Sequence, residues 1–258
     1  MTLKNKKELG QNWLRDREML AAIAAEASLT SEDTVLEIGP GIGTLTSEIL
    51  RHAGSVIAVE FDRDLAAKLP GQFPGKRLTV INEDILSFDL DTLPAGYKVV
   101  ANVPYYITSK IIEKLMTANN KPSVVVILVQ KEVAERIAAR PGDMSILAVS
   151  AQMFAETRLG IEIPREYFTP PPKVDSQVVV LETRDVPLIP AEDEKAFFRV
   201  VKSGFASKRK KLRSSISAGL AISKPAAEEL LRHADIDPEL RAEDLSIDDW
   251  RRLAKDAV

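Results

Sequence analysis

The chain of 258 residues contains no cysteine and only two histidines. Without cysteine it can form no disulfide bond, thiolate nucleophile or cysteine-ligated zinc site. His52 and His233 lie too far apart in sequence to suggest a metal cage, so we expect no metal site. No run of 18 consecutive apolar residues is present, and residues 1–7 lack the apolar core of a secretory signal. We therefore expect a cytoplasmic protein without a membrane partner.

The chain also lacks a strong net charge, since its formal charge is −3. Hydrophobic residues make up 45% and charged residues 28%, which predicts a globular protein with one full domain and a small second one. The net charge argues weakly against coating nucleic acid by bulk attraction. One stretch differs, because residues 199–213 contain seven basic residues and no acidic one. Such a run is as often a solvated face as a binding surface.

Short apolar runs alternate with helical patterns over the first half of the chain. The runs are rich in Val, Ile and Leu, as strands buried on both faces are, at residues 34–38, 55–60, 78–82, 98–102 and 123–130. The alternation predicts a doubly wound, Rossmann-like α/β sheet. Residues 158–163 and 176–182 leave no room for a crossover helix and predict an antiparallel edge hairpin. We expect a first domain at residues 1–186 and a small all-helical domain at 187–258.

A glycine-rich turn at residues 39–43 joins the first of these strands to a helix. Thr44 stands where a dinucleotide fingerprint needs its third glycine, so an NAD site is the less favoured interpretation. Glu60 and Asp84 follow at the carboxyl ends of the next two strands, where ligands of open α/β sheets bind. Glu60 can accept hydrogen bonds from ribose hydroxyls and Asp84 from an adenine amine. The pattern predicts a cofactor that contains adenosine, although a turn without a ligand stays open.

The fourth strand ends in Asn102-Val103-Pro104-Tyr105 at the same edge of the sheet. An adenine amine is a poor nucleophile because its lone pair is delocalised into the ring. The Asn102 oxygen and a backbone carbonyl near Val103 can accept its two N–H hydrogens, while Pro104 restricts the backbone and Tyr105 offers a stacking surface. This chemistry predicts methyl transfer to a planar amine. An adenine of DNA or a glutamine amide of a protein would suit it as well.

Together these motifs resemble the small-subunit ribosomal RNA adenine dimethyltransferases, which modify two neighbouring adenines in the hairpin loop near the 3′ end of that RNA. The likeness covers nearly the whole chain, including the segment FTPPPKVDS at residues 168–176. The resemblance implies S-adenosylmethionine as cofactor, held by Gln11, Asn12, Leu14, Gly39, Gly41, Glu60, Asp84, Ile85 and Asn102. It implies a catalytic set of Asn102, Pro104, Tyr105 and Phe168, with Phe168 as a second stacking ring.

The basic run resembles the same family and implies RNA-binding residues at Lys202, Lys208, Arg209, Lys210, Lys211 and Arg213. The expected partner is small-subunit rRNA or the immature small subunit, bound by a monomer. Trp13 stands where the family commonly has phenylalanine, and Tyr106 where it commonly has asparagine. Two alternatives stay open: an assembly factor of the small subunit with secondary catalysis, and a large-subunit rRNA methyltransferase of the antibiotic-resistance type. The latter enzymes share the cofactor motifs but usually differ in FTPPPKVDS.

Overall fold

The computed structural model describes residues 12–207 and 209–257, and it describes the backbone alone for Tyr105. The chain divides into two compact units. The first contains the chain up to Glu135 together with Ala155–Thr183. The second contains Arg136–Phe154 and the chain from Arg184 onward. The polypeptide therefore enters the second unit, returns to the first for one hairpin, and then leaves it again.

A seven-stranded sheet forms the centre of the first unit. Its strands are β2 (Thr34–Ile38), β3 (Ser55–Glu60), β4 (Leu78–Asn82), β5 (Lys98–Asn102), β6 (Val124–Gln130), β7 (Ala155–Ile163) and β9 (Ser176–Thr183), while β1 (Trp13–Leu14) and β8 (Phe168–Thr169) lie outside it. The sheet order is β4-β3-β2-β5-β6-β9-β7. Strands β2 to β6 are parallel, whereas β9 is antiparallel to both β6 and β7. This confirms the predicted doubly wound sheet with an antiparallel hairpin at its edge.

The sheet has a topological switch point between β2 and β5. The chain runs outward from β2 to β3 and β4, then crosses to the other side of β2 for β5 and β6. The central strands are buried on both faces, with Val35, Leu36, Val100 and Val126 at 0% exposure. Ligands of doubly wound folds bind at the carboxyl ends of the strands beside such a point. The site is therefore expected where β2, β3, β4 and β5 end.

Helices follow β2, β3, β5 and β6, whereas only a short 3-10 turn lies between β4 and β5. Two of them begin at aspartate caps: Asp16 accepts a hydrogen bond from Met19 N at 3.0 Å, and Asp62 accepts one from Asp64 N at 2.9 Å. The helices of this part of the chain are α1 (Arg17–Ala25), α2 (Thr44–His52), α3 (Arg63–Lys68), α4 (Thr108–Thr117) and α5 (Lys131–Ile137).

A two-stranded ladder lies outside the main sheet and was not predicted from the sequence. In it Trp13 pairs with Thr169, and Leu14 pairs with Phe168. Leu14 is 1% exposed and Phe168 3% exposed, and both belong to the main hydrophobic cluster of this unit. The ladder fastens the N-terminal segment to the loop that precedes β9.

The second unit is helical in its described residues, with α6 (Ile146–Gln152), α7 (Glu194–Phe205), α8 (Leu212–Leu220), α9 (Lys224–His233) and α10 (Ile247–Asp256). Trp250 of α10 is fully buried in its core. The Trp250 ring lies 5.4 Å from the Phe205 ring, centroid to centroid, and directly over Gly204. A Cβ atom at Gly204 would overlap the Trp250 ring, so glycine here allows α7 and α10 to approach closely.

The observed units correct the predicted boundary between residues 186 and 187. The first unit ends at Thr183, and residues 136–154, which the prediction assigned to the first domain, belong to the second unit. Backbone hydrogen bonds between residues far apart in sequence connect this segment to the second unit. Gly142 N donates to Glu243 O at 2.9 Å, and Arg184 N donates to Phe154 O at 2.9 Å. The sequence of α6 carries no mark of these distant partners.

Replacing Gly204 with alanine should destabilise the second unit, because the new methyl group has no space beside Trp250. We expect the free energy of unfolding to fall by about 1–3 kcal/mol, which is typical of overpacking in a core. Urea unfolding followed by circular dichroism measures this change. Gly71→Ala is the control, since a Cβ at Gly71 would meet nothing within 4 Å. Equal stability of the two variants would contradict the packing argument.

Candidate functional site

The glycine turn adopts the backbone conformation that its sequence requires. Gly39, Gly41 and Gly43 have φ angles of +66°, +60° and +82°, which residues with side chains rarely adopt. A Cβ at Gly43 would also lie 2.7 Å from Leu69 Cδ1. The turn therefore brings bare backbone to the end of β2, where it can approach a ligand closely.

Glu60 connects this turn to the end of β3. One carboxylate oxygen accepts from Gly41 N at 2.9 Å, and the other accepts from Asp62 N at 2.8 Å. Burial raises the pKa of Glu60 above its usual value, and the two backbone hydrogen bonds oppose that rise. Asp84, past the end of β4, uses Oδ1 to accept from Leu86 N at 2.9 Å. Both carboxylates thus keep lone pairs that can accept from a ligand.

One cavity occupies the carboxyl ends of β2 to β5. It brings together the predicted cofactor-binding residues that the structure describes, namely Asn12, Leu14, Gly39, Gly41, Glu60, Asp84, Ile85 and Asn102. Gln11 lies outside the described residues. Segments up to 90 positions apart in sequence meet here, because most follow the ends of parallel strands of one sheet. The N-terminal segment reaches the same cavity from the ladder of β1 and β8.

Two polar groups of this cavity were missed by the sequence analysis. Glu37, in the middle of β2, is 1% exposed, and burial raises its pKa to about 8, with a further contribution from Glu60. The Thr46 hydroxyl opposes part of the rise, but neither Glu37 oxygen has a hydrogen bond of good geometry to any described residue. Trp13 Nε1 is likewise buried without an acceptor among them. An acidic residue inside an apolar strand was the available signal for Glu37.

Another side of the cavity is formed by Asn102, Val103, Pro104 and Tyr106. Tyr105 lies in a short 3-10 turn, Tyr105–Ile107, and its ring is outside the described part of the structure. The Tyr106 ring is 68% exposed at this cavity. Asn102 and Pro104 are therefore together, as predicted.

Phe168 is placed differently from the expectation. Its ring packs in the hydrophobic cluster at 3% exposure and does not line the cavity. The ladder between β8 and β1 draws it inward beside Leu14. In this conformation Phe168 supports the cofactor-side segment and offers no open ring face to a base.

The predicted RNA-binding residues of the second unit fall into two groups. Lys202, Arg209 and Lys210 are exposed, and none has an acidic partner among the described residues. Lys211 instead pairs with Glu239 at 2.7 Å, and Arg213 pairs with Glu228 at 3.4 Å and also with Glu239. Lys208 lies outside the described residues. Intramolecular ion pairs thus neutralise part of the basic run.

A stripe on α7 extends the unpaired group. Lys195, Arg199 and Lys202 are all exposed and follow one another at positions i, i+4 and i+7, which places them on one helix face. None of the three has an ion-pair partner among the described residues. The sequence analysis did not include Lys195 and Arg199 among the RNA-binding residues. We call Lys195, Arg199 and Lys202 the α7 stripe.

The family of the chain follows from its sequence similarity to known families. A model of the family described as ribosomal RNA adenine dimethylase matches residues 2–257. The chain belongs to this family. The resemblance stated from the sequence is thereby confirmed, together with the interpretation of the chain as a methyltransferase.

Relatives that match nearly the full chain have a consistent description. The ribosomal RNA small subunit methyltransferase A of Dehalococcoides mccartyi strain CBDB1 is 41% identical, over 98% of this chain and 88% of its own. The enzyme of the same name from Lactococcus lactis subsp. lactis is 40% identical, over 96% of this chain and 88% of its own.

Solved structures of the family share the fold along most of the chain. A dimethyladenosine transferase from Plasmodium falciparum is 28% identical, with a TM-score of 0.81, over 93% of this chain and 95% of its own. The 23S rRNA methyltransferase ErmE is 29% identical, with a TM-score of 0.79, over 95% and 99%. ErmE is named for 23S rRNA, whereas the relatives by sequence are named for the small subunit, so the fold alone does not specify the target.

Over residues 12–207 and 209–257, no three His, Cys, Asp or Glu side chains are grouped closely enough to hold a metal ion. Within the same residues, each helix is too short or too polar to cross a bilayer.

Replacing Glu37 with glutamine should change how folding stability depends on pH. Native Glu37 keeps its proton at pH values where the unfolded chain, with an ordinary carboxyl pKa, has lost it. The free energy of unfolding of the wild type should therefore fall relative to E37Q as the pH rises from about 5 to about 8, by a few kcal/mol at most. Urea unfolding at a series of pH values measures the difference. The exposed Glu113→Gln variant should track the wild type, and a pH-independent gap between E37Q and wild type would disprove the assignment.

Proposed function

We propose that this chain transfers methyl groups from S-adenosylmethionine to the exocyclic N6 of two adjacent adenines in the 3′-terminal hairpin loop of small-subunit (16S) rRNA. The observation that carries the proposal is the position of Asn102, which lines the same cavity as the glycine turn, Glu60 and Asp84. A planar-amine acceptor and an adenosine-containing donor can therefore meet in one enclosure. The relatives that match nearly the full chain are named as small-subunit rRNA methyltransferases, which favours the small-subunit target.

The residues of the cavity fit the cofactor. Among the described residues Trp13 Nε1 has no acceptor, and Glu37 has only its contact with Thr46; a polar ligand would satisfy such groups, since native proteins pair them. Glu60 would hold the ribose hydroxyls, and Asp84 would accept from the adenine amine. Bare backbone at Gly39 and Gly41 leaves room for a nucleoside. When bound, the cofactor supplies a methyl group on a sulfonium that a nucleophile can displace directly.

Asn102 would act on the acceptor amine. Its side-chain oxygen accepts one N–H of the adenine, and the backbone carbonyl near Val103 accepts the other, which makes the nitrogen lone pair more available. Pro104 restricts the backbone that carries these acceptors. Holding donor and acceptor in line can lower a barrier by up to about 7–11 kcal/mol. Position and hydrogen bonding by this chain's own groups therefore carry most of the proposed catalysis.

The exposed basic surface of the second unit would contact the RNA backbone. The α7 stripe, with Arg209 and Lys210, offers charges that no acidic neighbour neutralises among the described residues. Phosphate contacts of this kind give salt-dependent affinity and position the RNA without reading its sequence. The target adenines would be selected at the cavity, where they must be unstacked from a loop.

Replacing Asn102 with alanine should reduce methyl transfer to small-subunit particles by at least about 100-fold, because the amine loses its acceptor in the transition state. Particle binding should change by less than about threefold, since the contacts to the phosphates remain. Transfer from labelled S-adenosylmethionine, followed by mass spectrometry of the nucleosides, measures the first quantity. Asn119→Ala, an exposed site of the same unit, is the control.

Large-subunit particles and DNA are the comparison substrates in the same assay. Dimethyladenosine from small-subunit particles alone supports the proposal. Label on another substrate retains the methyltransferase and rejects the target. Specific binding without transfer on any substrate would favour the assembly-factor alternative, and full activity of N102A would reject the catalytic role of Asn102.

Replacing Lys195, Arg199 and Lys202 with glutamine should flatten the salt dependence of RNA binding. Each lost phosphate contact lowers the slope of log K against log salt by roughly 0.7–0.9, so we expect a change of about 2 to 3. The matched control is Lys211→Gln with Arg213→Gln, which removes charges already paired with Glu239. The control should lower stability and leave the slope nearly unchanged. Equal effects of the two variants on the slope would show that the α7 stripe has no special role.

A further inference from the structure

Trp13 has a hydrogen-bond donor that no described residue satisfies. Its Nε1 atom is buried, and no acceptor lies within hydrogen-bond distance among these residues. The ring lines the cavity at the ends of the parallel strands. Its pyrrole edge faces the glycine turn, because a Cβ at Gly41 would lie 3.9 Å from Nε1 and 4.0 Å from Cδ1. The donor therefore sits beside the part of the turn that a ligand would approach.

The ring is held in this position from several sides. Trp13 pairs with Thr169 in the ladder of β1 and β8. The next residue, Leu14, is fully buried, and its carbonyl accepts from Thr44 Oγ1 at 2.9 Å. The Arg15 guanidinium lies 5.7 Å from the centroid of the indole ring. These contacts hold the backbone at and after Trp13 and cover part of its ring.

Trp250 shows why the cavity matters to the argument. Its Nε1 also lacks a partner among the described residues, but its ring is packed against Gly204 and Phe205 in a helical core. Trp13, by contrast, is a lining residue of a cavity that can admit a ligand. A donor without a partner points to a ligand only where a ligand can reach it.

Glu37 supplies the opposite chemistry in the same cavity. Its carboxyl group is buried, and both oxygens lack a hydrogen bond of good geometry to the described residues. A donor for an anion thus shares one enclosure with a carboxyl group that a neighbouring cation would favour in its ionised form. This combination matches a zwitterion, a group with one carboxylate and one ammonium.

We propose that Trp13 Nε1–H donates a hydrogen bond to the carboxylate at the amino-acid end of the bound methyl donor, with Glu37 facing its ammonium group. The inference rests on the proposed function, because it assumes that S-adenosylmethionine enters this cavity. Trp13 then senses the amino-acid end of the ligand, whereas Glu60 and Asp84 recognise the nucleoside. The ladder of β1 and β8 becomes part of the cofactor site through the ring that it holds.

The first test uses the indole N–H signals of the 15N-labelled full chain. The sequence contains two tryptophans, so Trp13→Phe assigns the spectrum by deleting one signal, and Trp250 serves as internal reference. S-adenosylhomocysteine should move the Trp13 signal downfield, as a new hydrogen bond does, and leave Trp250 in place. 5′-Methylthioadenosine, which has the nucleoside and sulfur but no amino-acid end, should leave both signals near their free positions.

The second test measures affinities for the same two ligands by isothermal titration calorimetry. Trp13→Phe keeps an aromatic ring but has no donor, so S-adenosylhomocysteine should bind roughly tenfold more weakly, equivalent to about 1.4 kcal/mol. The affinity for 5′-methylthioadenosine should change by less than about twofold, because that ligand never made the bond.

The outcomes separate the inference from the proposed function. If both ligands bind the wild type but shift the Trp13 signal alike, or lose affinity alike in Trp13→Phe, the assignment of Trp13 is overturned and the proposed cofactor stands. If neither ligand binds the folded wild type, the proposed cofactor and the inference that rests on it both fall.

Discussion

The buried carboxylate of Glu60 holds the cofactor cavity together. It accepts from Gly41 N in the turn after β2 and from Asp62 N at the start of α3, at 2.9 and 2.8 Å. Glu60 is 6% exposed, and these charge-assisted hydrogen bonds replace those to the water that its carboxylate has lost. The glycine turn and the end of β3 are thereby fixed relative to each other before any ligand arrives. A ligand that contacts Glu60 therefore also lies close to the glycine turn.

The rest of the cavity combines backbone freedom with unmet polar groups. The positive φ angles of Gly39, Gly41 and Gly43 bring main chain close to the site. Glu37 and Trp13 bring a carboxyl group and an N–H donor that no described residue satisfies. Buried polar groups without a hydrogen-bond partner destabilise the free protein, because they have lost their bonds to water and gained none in exchange. A ligand that supplies the missing partners removes this penalty when it binds, so the cavity would favour it over a ligand that does not.

Prediction from sequence worked where position along a strand was sufficient. Glu60 and Asn102 each end a parallel strand, Asp84 lies two residues past the end of β4, and parallel strands of one sheet end at one edge. Their meeting in one cavity therefore followed from strand patterns alone. The edge hairpin followed in the same way, since β7 and β9 have no room for a crossover helix between them.

Local patterns determined the sheet, the helical C-terminal region, the family and the residues at the strand ends, because each depends on neighbours in the chain. Tertiary contacts decided the rest. Phe168 is buried because β8 pairs with β1. In this pairing Phe168 lies opposite Leu14, which is 154 positions earlier in the chain. Lys211 and Arg213 are neutralised by acids from a later part of the chain, and the segment before α6 joins the second unit through bonds from Gly142 and Met144 to Glu243. Burial and charge pairing depend on which distant residues come together, and a pattern read along the sequence does not contain that information.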